Sequence, residues 1–294
     1  MALTDKLKAI ADAIRSKTGS TESMSLDGMA TEISNISTGG SIEEPYVIET
    51  YDSAGNLIEA ELVGYTKIRN NFFMGCSKLA STSLPSGVTS IGDYAFSTCS
   101  KLALTSLPSG VTSIGNYAFN VCPNLALTSL PSGVTSIGNY AFNACPNLAL
   151  TSLPSGITSI GNYAFKGCSK LALTSLPSGV TSIGGYAFNE CSNLALTSLP
   201  SGITSISNST FKGCSKLALT SLPSGIILID SQAFSSCESL TFITFEGTPR
   251  AIVSNAFASC TNLTTINVPW AEGAVTNAPW GATNATINYN YTGE

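Results

Sequence analysis

The sequence predicts a β-rich solenoid of stacked 23-residue turns, preceded by a small α-helical segment. Three observations predict it. The stretch CPNLALTSLPSGVTSIGNYAFNA, from Cys122 to Ala144, is followed at once by CPNLALTSLPSGITSIGNYAFKG, the same unit with three changes. All nine cysteines, Cys76, Cys99, Cys122, Cys145, Cys168, Cys191, Cys214, Cys237 and Cys260, are 23 residues apart, and none lies outside the series. The first 38 residues lack the repeated phrase and carry apolar residues at helical spacing instead. A chain with such a period builds its core by stacking units, so its 294 residues set a number of turns rather than a number of domains.

At the start, Leu3, Leu7, Ile10 and Ile14 fall on one stripe of a helix that Thr4 can cap and Gly19 can end. Ser25 can cap a second helix with Leu26, Met29, Ile33 and Ile36 on one side. Residues 1–38 are expected to form a helical attachment or oligomerisation segment, because two short amphipathic helices must find a partner for their stripes. That partner is each other, the solenoid, or another copy in a homo-oligomer. ISTGGS then reads as a flexible joint. Residues 39–75 are expected to hold this linker, a capping hairpin turning around Ser53 to Asn56, and a half turn that keeps the repeat spacing at Ile68, Phe73 and Cys76. Eight full turns follow over residues 76–259. Residues 260–294 read as a closing cap, with Trp270 and Trp280 covering the open end of the core.

Counting each cysteine as zero, Leu recurs at +3, +5 and +8, Pro at +9, Val or Ile at +12, Ile at +15, Gly at +16, Ala at +19 and Phe at +20. These are the candidate core positions. LTSLP and VTSIG are β-compatible and end at turn formers, so each turn is expected to contain two short extended segments and then a helical or 3₁₀ corner at YAFxxC. One turn buries too little to fold alone, and stacking supplies the rest. The cysteines then form a single structural ladder of buried free thiols at about the 4.8 Å strand spacing. Their odd number argues against a disulfide framework, and a chain with no CxxC pair and no histidine has no metal site to offer.

Charge narrows the function. Residues 1–75 hold 11 acids and 6 bases, while 76–260 hold 5 acids and 7 bases, and nowhere do Lys and Arg cluster as nucleic-acid binding requires. No stretch reaches 18 uninterrupted apolar residues, and MALTDKLKAIADAIRSK lacks the apolar run of a signal peptide, so synthesis in the cytoplasm without membrane insertion is expected. Without histidine, and with thiols locked in a ladder, no nucleophile has a base beside it. No cofactor and no enzymatic activity are expected.

The unit resembles the BspA-like leucine-rich repeat family, which reads C, two residues, L, two residues, I, one residue, LP, then V and IG, then AF before the next C. The resemblance covers residues 76 to about 269 and implies a right-handed solenoid with a parallel sheet along one face. It also implies a bacterial surface protein that adheres to host or matrix molecules, with no activity carried by the repeat. The middle turns depart from the family at one place: Leu stands at +5 and Thr at +6, as in Leu127 and Thr128, whereas Ile243 and Ile266 restore the aliphatic at +6. This leaves the strand register of the middle turns open. The phrase LKAIADAIRSKTGSTESMSLDGMATEIS and the ending PWGATNATINYNYTG look like segments of tail-associated proteins of phages and prophages of Gram-positive bacteria.

Together these resemblances imply a non-enzymatic binding protein. The first expectation is a phage or prophage tail receptor-binding protein, located in the virion tail, attached to a tail protein through residues 1–38 and recognising a bacterial surface ligand. The alternative is a BspA-like adhesin at the bacterial cell surface, binding host or matrix proteins. In both, the ligand is a cell-surface glycan or protein. The candidate surface is the row Tyr94, Tyr117, Tyr140, Tyr163 and Tyr186 at +18, a position that also accepts Ser209, Gln232 and Asn255. Beside it run the variable positions carrying Lys166, Lys170, Asn189, Glu190, Lys212 and Lys216. Rigid rings with a polar tip suit a ligand surface, and the same rings also suit simple ring-on-ring packing along the stack.

Overall fold

The computed structural model describes residues 45–293. The expected helices within residues 1–38, and the joint after them, lie outside the described residues. The described chain opens with a hairpin of β1 (Tyr46–Tyr51) and β2 (Leu57–Val63). Asp52 closes the turn between them: its carboxylate accepts the backbone N–H of Ala54 and of Asn56 at 2.9 Å, and the Asn56 amide as well.

The solenoid is then written in two-residue strands. They are β3 (Lys67–Ile68), β4 (Ser90–Ile91), β5 (Ser113–Ile114), β6 (Ser136–Ile137), β7 (Ser159–Ile160), β8 (Ser182–Ile183) and β9 (Ser205–Ile206). The rank continues in β11 (Leu228–Ile229) and β13 (Ala251–Ile252). The paired strands are parallel and one period apart, Ile68 opposite Ile91 and Ile137 opposite Ile160, in sheets β3–β4–β5, β6–β7–β8 and β9–β11–β13. In each turn the isoleucine at +15 is buried, so every rung adds one aliphatic side chain to the same core row.

Glycine follows because consecutive turns nearly touch. A Cβ on Gly161 would stand 2.6 Å from the Asn139 nitrogen, and one on Gly138 2.8 Å from the Gly115 carbonyl carbon. Ser207, Asp230 and Val253 take this phase in the later turns, where β9, β11 and β13 still pair in the same register.

The second expected segment, LTSLP, is a strand only near the C-terminal end. There β10 (Ser221–Leu222), β12 (Phe242–Phe245), β14 (Thr265–Asn267) and β15 (Thr286–Asn288) form a parallel sheet. The reason lies in the departure at +5 and +6. In β12, Phe242 faces out, Ile243 in and Phe245 in, with Thr244 between them, the alternation a strand needs. In the middle turns Leu127 and Leu130 are both buried, and Thr128 and Ser129 between them are both exposed. Two consecutive outward residues break the alternation, and the segment keeps one inter-turn backbone bond, from Ala126 N–H to the Leu104 carbonyl.

The corner also differs from expectation. YAFxxC forms no helix or 3₁₀ segment but a run of turns with two left-handed residues, at +18 and +22: Tyr117 and Val121, for example, both have φ of 56°. This conformation aims three N–H groups per turn at the next turn, from Tyr117, Phe119 and Val121 to the carbonyls of Asn139, Ala141 and Asn143, all at 2.8 Å. A helix would satisfy those donors within its own turn, and stacking does so between turns.

Inside, phenylalanines from Phe73 to Phe257 stack face to face at centroid spacings of 5.1 to 5.6 Å. Cys99 to Cys260 are buried free thiols beside them, and Cys76 at the first turn is half-buried. Each buried thiol donates to the carbonyl of the phenylalanine 26 residues before it, as Cys145 does to Phe119 at 3.0 Å. Trp280, fully buried, and Trp270, nearly so, pack against Phe245 at the far end, and the Trp280 carbonyl accepts the Phe257 N–H as a further turn would.

Candidate functional site

From Cys76 onward, the corner keeps the charges of all but the last turns, where Asp230, Glu246 and Arg250 lie elsewhere. In the turns that begin at Cys76 through Cys191, no charged residue stands between +3 and +16. That arc presents neutral threonine and serine hydroxyls, exposed at Thr105, Ser106, Thr128 and Ser129 among others. Lys78, Lys101, Lys166, Lys170, Lys212 and Lys216 all fall on the remaining arc, with Asp93 and Glu190 as the acids among them.

Three ladders hold this corner in shape. The first runs through +17, where each side-chain oxygen accepts the backbone N–H of the following turn. Asp93 N–H donates to Asn70, Asn139 to Asn116, Asn162 to Asn139 and Gly185 to Asn162, at 2.8 to 2.9 Å. The second is the tyrosine row. Its rings stack at 4.4 to 4.6 Å with planes within 3° to 7° of parallel. All five rings are half-buried. The rings therefore do pack on one another, and their faces are occupied by their neighbours. The edges and hydroxyls are what remain for a ligand. Burial, with Tyr163 and Tyr117 alongside, holds the Tyr140 phenol above its ordinary value, so it stays a neutral donor at neutral pH.

The third ladder is partial. At +21, the Asn143 amide donates to the Asn120 side-chain oxygen at 2.8 Å, and Asn189, also at +21, donates to the Lys212 carbonyl at 3.1 Å and is 3% exposed. Asn189 thus sits inside the stack, its amide turned to the neighbouring turn. Glu190 is exposed and left-handed, with φ of 62°.

The lysines are tethered to neutral groups. Lys166 Nζ lies 5.7 Å from the Tyr163 ring centre and 5.9 Å from that of Tyr186. Lys212 Nζ donates to Gln232 Oε1 at 2.9 Å, and Lys216 Nζ to Asn193 Oδ1 at 2.7 Å. Lys170 is exposed. The tyrosine row ends where this basic group is densest. The next +18 residue, Ser209, is fully buried, and its Oγ and Asn208 Oδ1 have no hydrogen-bond partner. Asn193, the +17 asparagines and the tether from Lys212 to Gln232 are not evident from the residues alone, although asparagine recurs at +17 in Asn116, Asn139 and Asn162.

The thiols offer no comparable chemistry. Burial pushes those of Cys145, Cys168, Cys191, Cys214 and Cys237 well above the ordinary thiol value, so the reactive thiolate is suppressed. Among the described residues no group of His, Cys, Asp or Glu could hold a metal ion, and no helix is long and apolar enough to cross a membrane.

A family model described as "BspA type Leucine rich repeat region" matches residues 66–195 and 170–277. No curated protein matches. Among solved structures, the chain is similar to a leucine rich cell surface protein from Faecalibacterium prausnitzii A2-165, at 22% identity over 86% of this chain and 97% of that one, with a TM-score of 0.39. It is also similar to a leucine-rich repeat protein from Bacteroides ovatus, at 21% identity over 85% and 99%, TM-score 0.35. A third is the T. pallidum leucine rich repeat protein, at 22% identity over 74% and 88%, TM-score 0.36.

Proposed function

The chain belongs to the BspA-type leucine-rich repeat family, and from that premise we propose that it is a non-enzymatic adhesion protein of a bacterial surface, holding a glycan or protein ligand along its tyrosine and lysine corner. The observation that carries this reading is that, in the turns from Cys76 through Cys191, charge is confined to the arc where the tyrosine edges also lie. A row of phenol hydroxyls held rigid by stacking loses little side-chain entropy on meeting a ligand. Suppressed thiolates support the non-enzymatic part.

The virion-tail reading differs in where the same surface is displayed. It rests on the phrases at the two ends, one of which lies in residues 1–38. Tail and baseplate genes beside this one would favour it, and secretion or anchoring genes would favour surface display.

The test replaces Tyr117, Tyr140 and Tyr163 together by asparagine. Asn71 already takes φ of 60° at the same phase, so the backbone accepts the change. Binding of the full chain to whole cells and to immobilised extracellular-matrix proteins should fall at least tenfold, with the circular dichroism spectrum kept. Undiminished binding by the folded variant would move the ligand to another face.

A further inference from the structure

We infer that Lys166, Lys170, Lys212 and Lys216 form a site for an acidic polysaccharide carrying one anionic group on every second sugar; this deepens the proposed function and rests on it. The four residues belong to one phrase written twice, FKGCSK at 165–170 and again at 211–216. The copies are 46 residues, or two turns, apart, which is roughly 10 Å along the axis at the strand spacing. The two lysine pairs are thus anchored along one line at the interval of two pyranose rings, the Lys216 ammonium leaning back toward the turn between them. The intervening turn carries no lysine on this corner, and Asn189 at the equivalent place is turned inward.

Three of the four ammonium groups are positioned without being neutralised. Lys166 rests against the Tyr163 and Tyr186 rings, Lys212 on Gln232 and Lys216 on Asn193. A neutral tether fixes the cation and leaves its charge for an incoming anion. Glu190 is the one acid between the two pairs. It selects against a densely charged polymer, whose anions would fall beside it, and in favour of one whose charges skip every other ring. The hydroxyls of Tyr163 and Tyr186, at the end of the phenol row, face the sugar hydroxyls between charges.

Hyaluronan, with one carboxylate per disaccharide, is the probe, and carboxyl-reduced hyaluronan is its uncharged twin. Immobilised hyaluronan should capture the full chain at low salt and release it as salt rises, while the reduced polymer should not capture it. The quadruple variant Lys166→Gln, Lys170→Gln, Lys212→Gln, Lys216→Gln should bind at least tenfold more weakly, and Glu190→Gln several-fold more tightly. Equal binding by the quadruple variant, equal capture by the reduced polymer, or equally tight binding of duplex DNA would each overturn the inference. If hyaluronan is ignored while matrix proteins or cells are still held through the tyrosines, the acidic-glycan inference falls and the adhesion reading stands.

Discussion

Gly161 and Val121 occupy places where the backbone, rather than the side chain, decides what fits. At Gly161 a methyl group would meet the Asn139 nitrogen at 2.6 Å, a neighbour that cannot rotate away. Gly161→Ala should therefore lower stability by roughly 1–3 kcal/mol, the usual cost of overpacking, as read from denaturant unfolding. Val121 is the opposite case. It is β-branched, left-handed at φ of 56° and 41% exposed, at a phase where Gly75, Gly167 and Gly213 also stand. Replacing it by glycine relieves about 1 kcal/mol of backbone strain and gives up little burial. Val121→Gly should hold or raise the unfolding midpoint, whereas glycine at an ordinary position lowers it. The two left-handed phases were hidden in the sequence for this reason: Thr98 and Val121 at +22, and the tyrosines at +18, are residue types that disguise such a conformation, so YAFxxC reads as a helical corner.

Along a single ladder, small effects add with one sign. The core rows were legible because side-chain type repeats without exception: leucine at +3, isoleucine at +15 and phenylalanine at +20 are all interior. The LTSLP strands were not, because whether Leu127 or Thr128 points inward depends on the neighbouring turns, and β12 resolves it differently from the middle of the stack. The tyrosines and lysines of the proposed binding corner stand out in the sequence, whereas their tethers do not, because they join residues about one turn apart, as Lys216 and Asn193 do. The thiol ladder gives a pH prediction. An unfolded thiol ionises near 9.0, while burial raises Cys260 to about 11 and the inner thiols further. The folded chain thus holds protons that the unfolded chain releases. Stability from each buried thiol is complete below pH 9 and is lost above it, at up to about 1.4 kcal/mol per pH unit for each. For Cys260 the loss stops at about 11. Denaturant midpoints measured from pH 8 to 10.5 should fall steeply, and replacing Cys168 and Cys191 by alanine should flatten the slope. An unchanged slope would place the titration elsewhere.

At the scale of the whole solenoid, the turn is the unit of stability. Removing Cys122 to Ala144 joins Val121 to Cys145 in phase, leaves every ladder continuous and shortens the tyrosine row from five rings to four. That variant should fold with only a small fall in melting temperature, because each turn contributes its own burial and one interface. Removing ten residues, Cys122 to Pro131, should break the stack at that turn and split the melt, since the turns before and after it no longer share a phase. Ligand capture should weaken in the first variant without vanishing. The corner also has a polarity. Its N–H groups at +18, +20 and +22 all point toward the C-terminal end, turn after turn, and their carbonyls all point back. The stack is therefore an arrow. A polysaccharide also has a sense, from its reducing to its non-reducing terminus, so a strand laid along the tyrosines one way and the same strand reversed meet different surfaces. If the proposed ligand is bound there, its direction should matter as well as its charge.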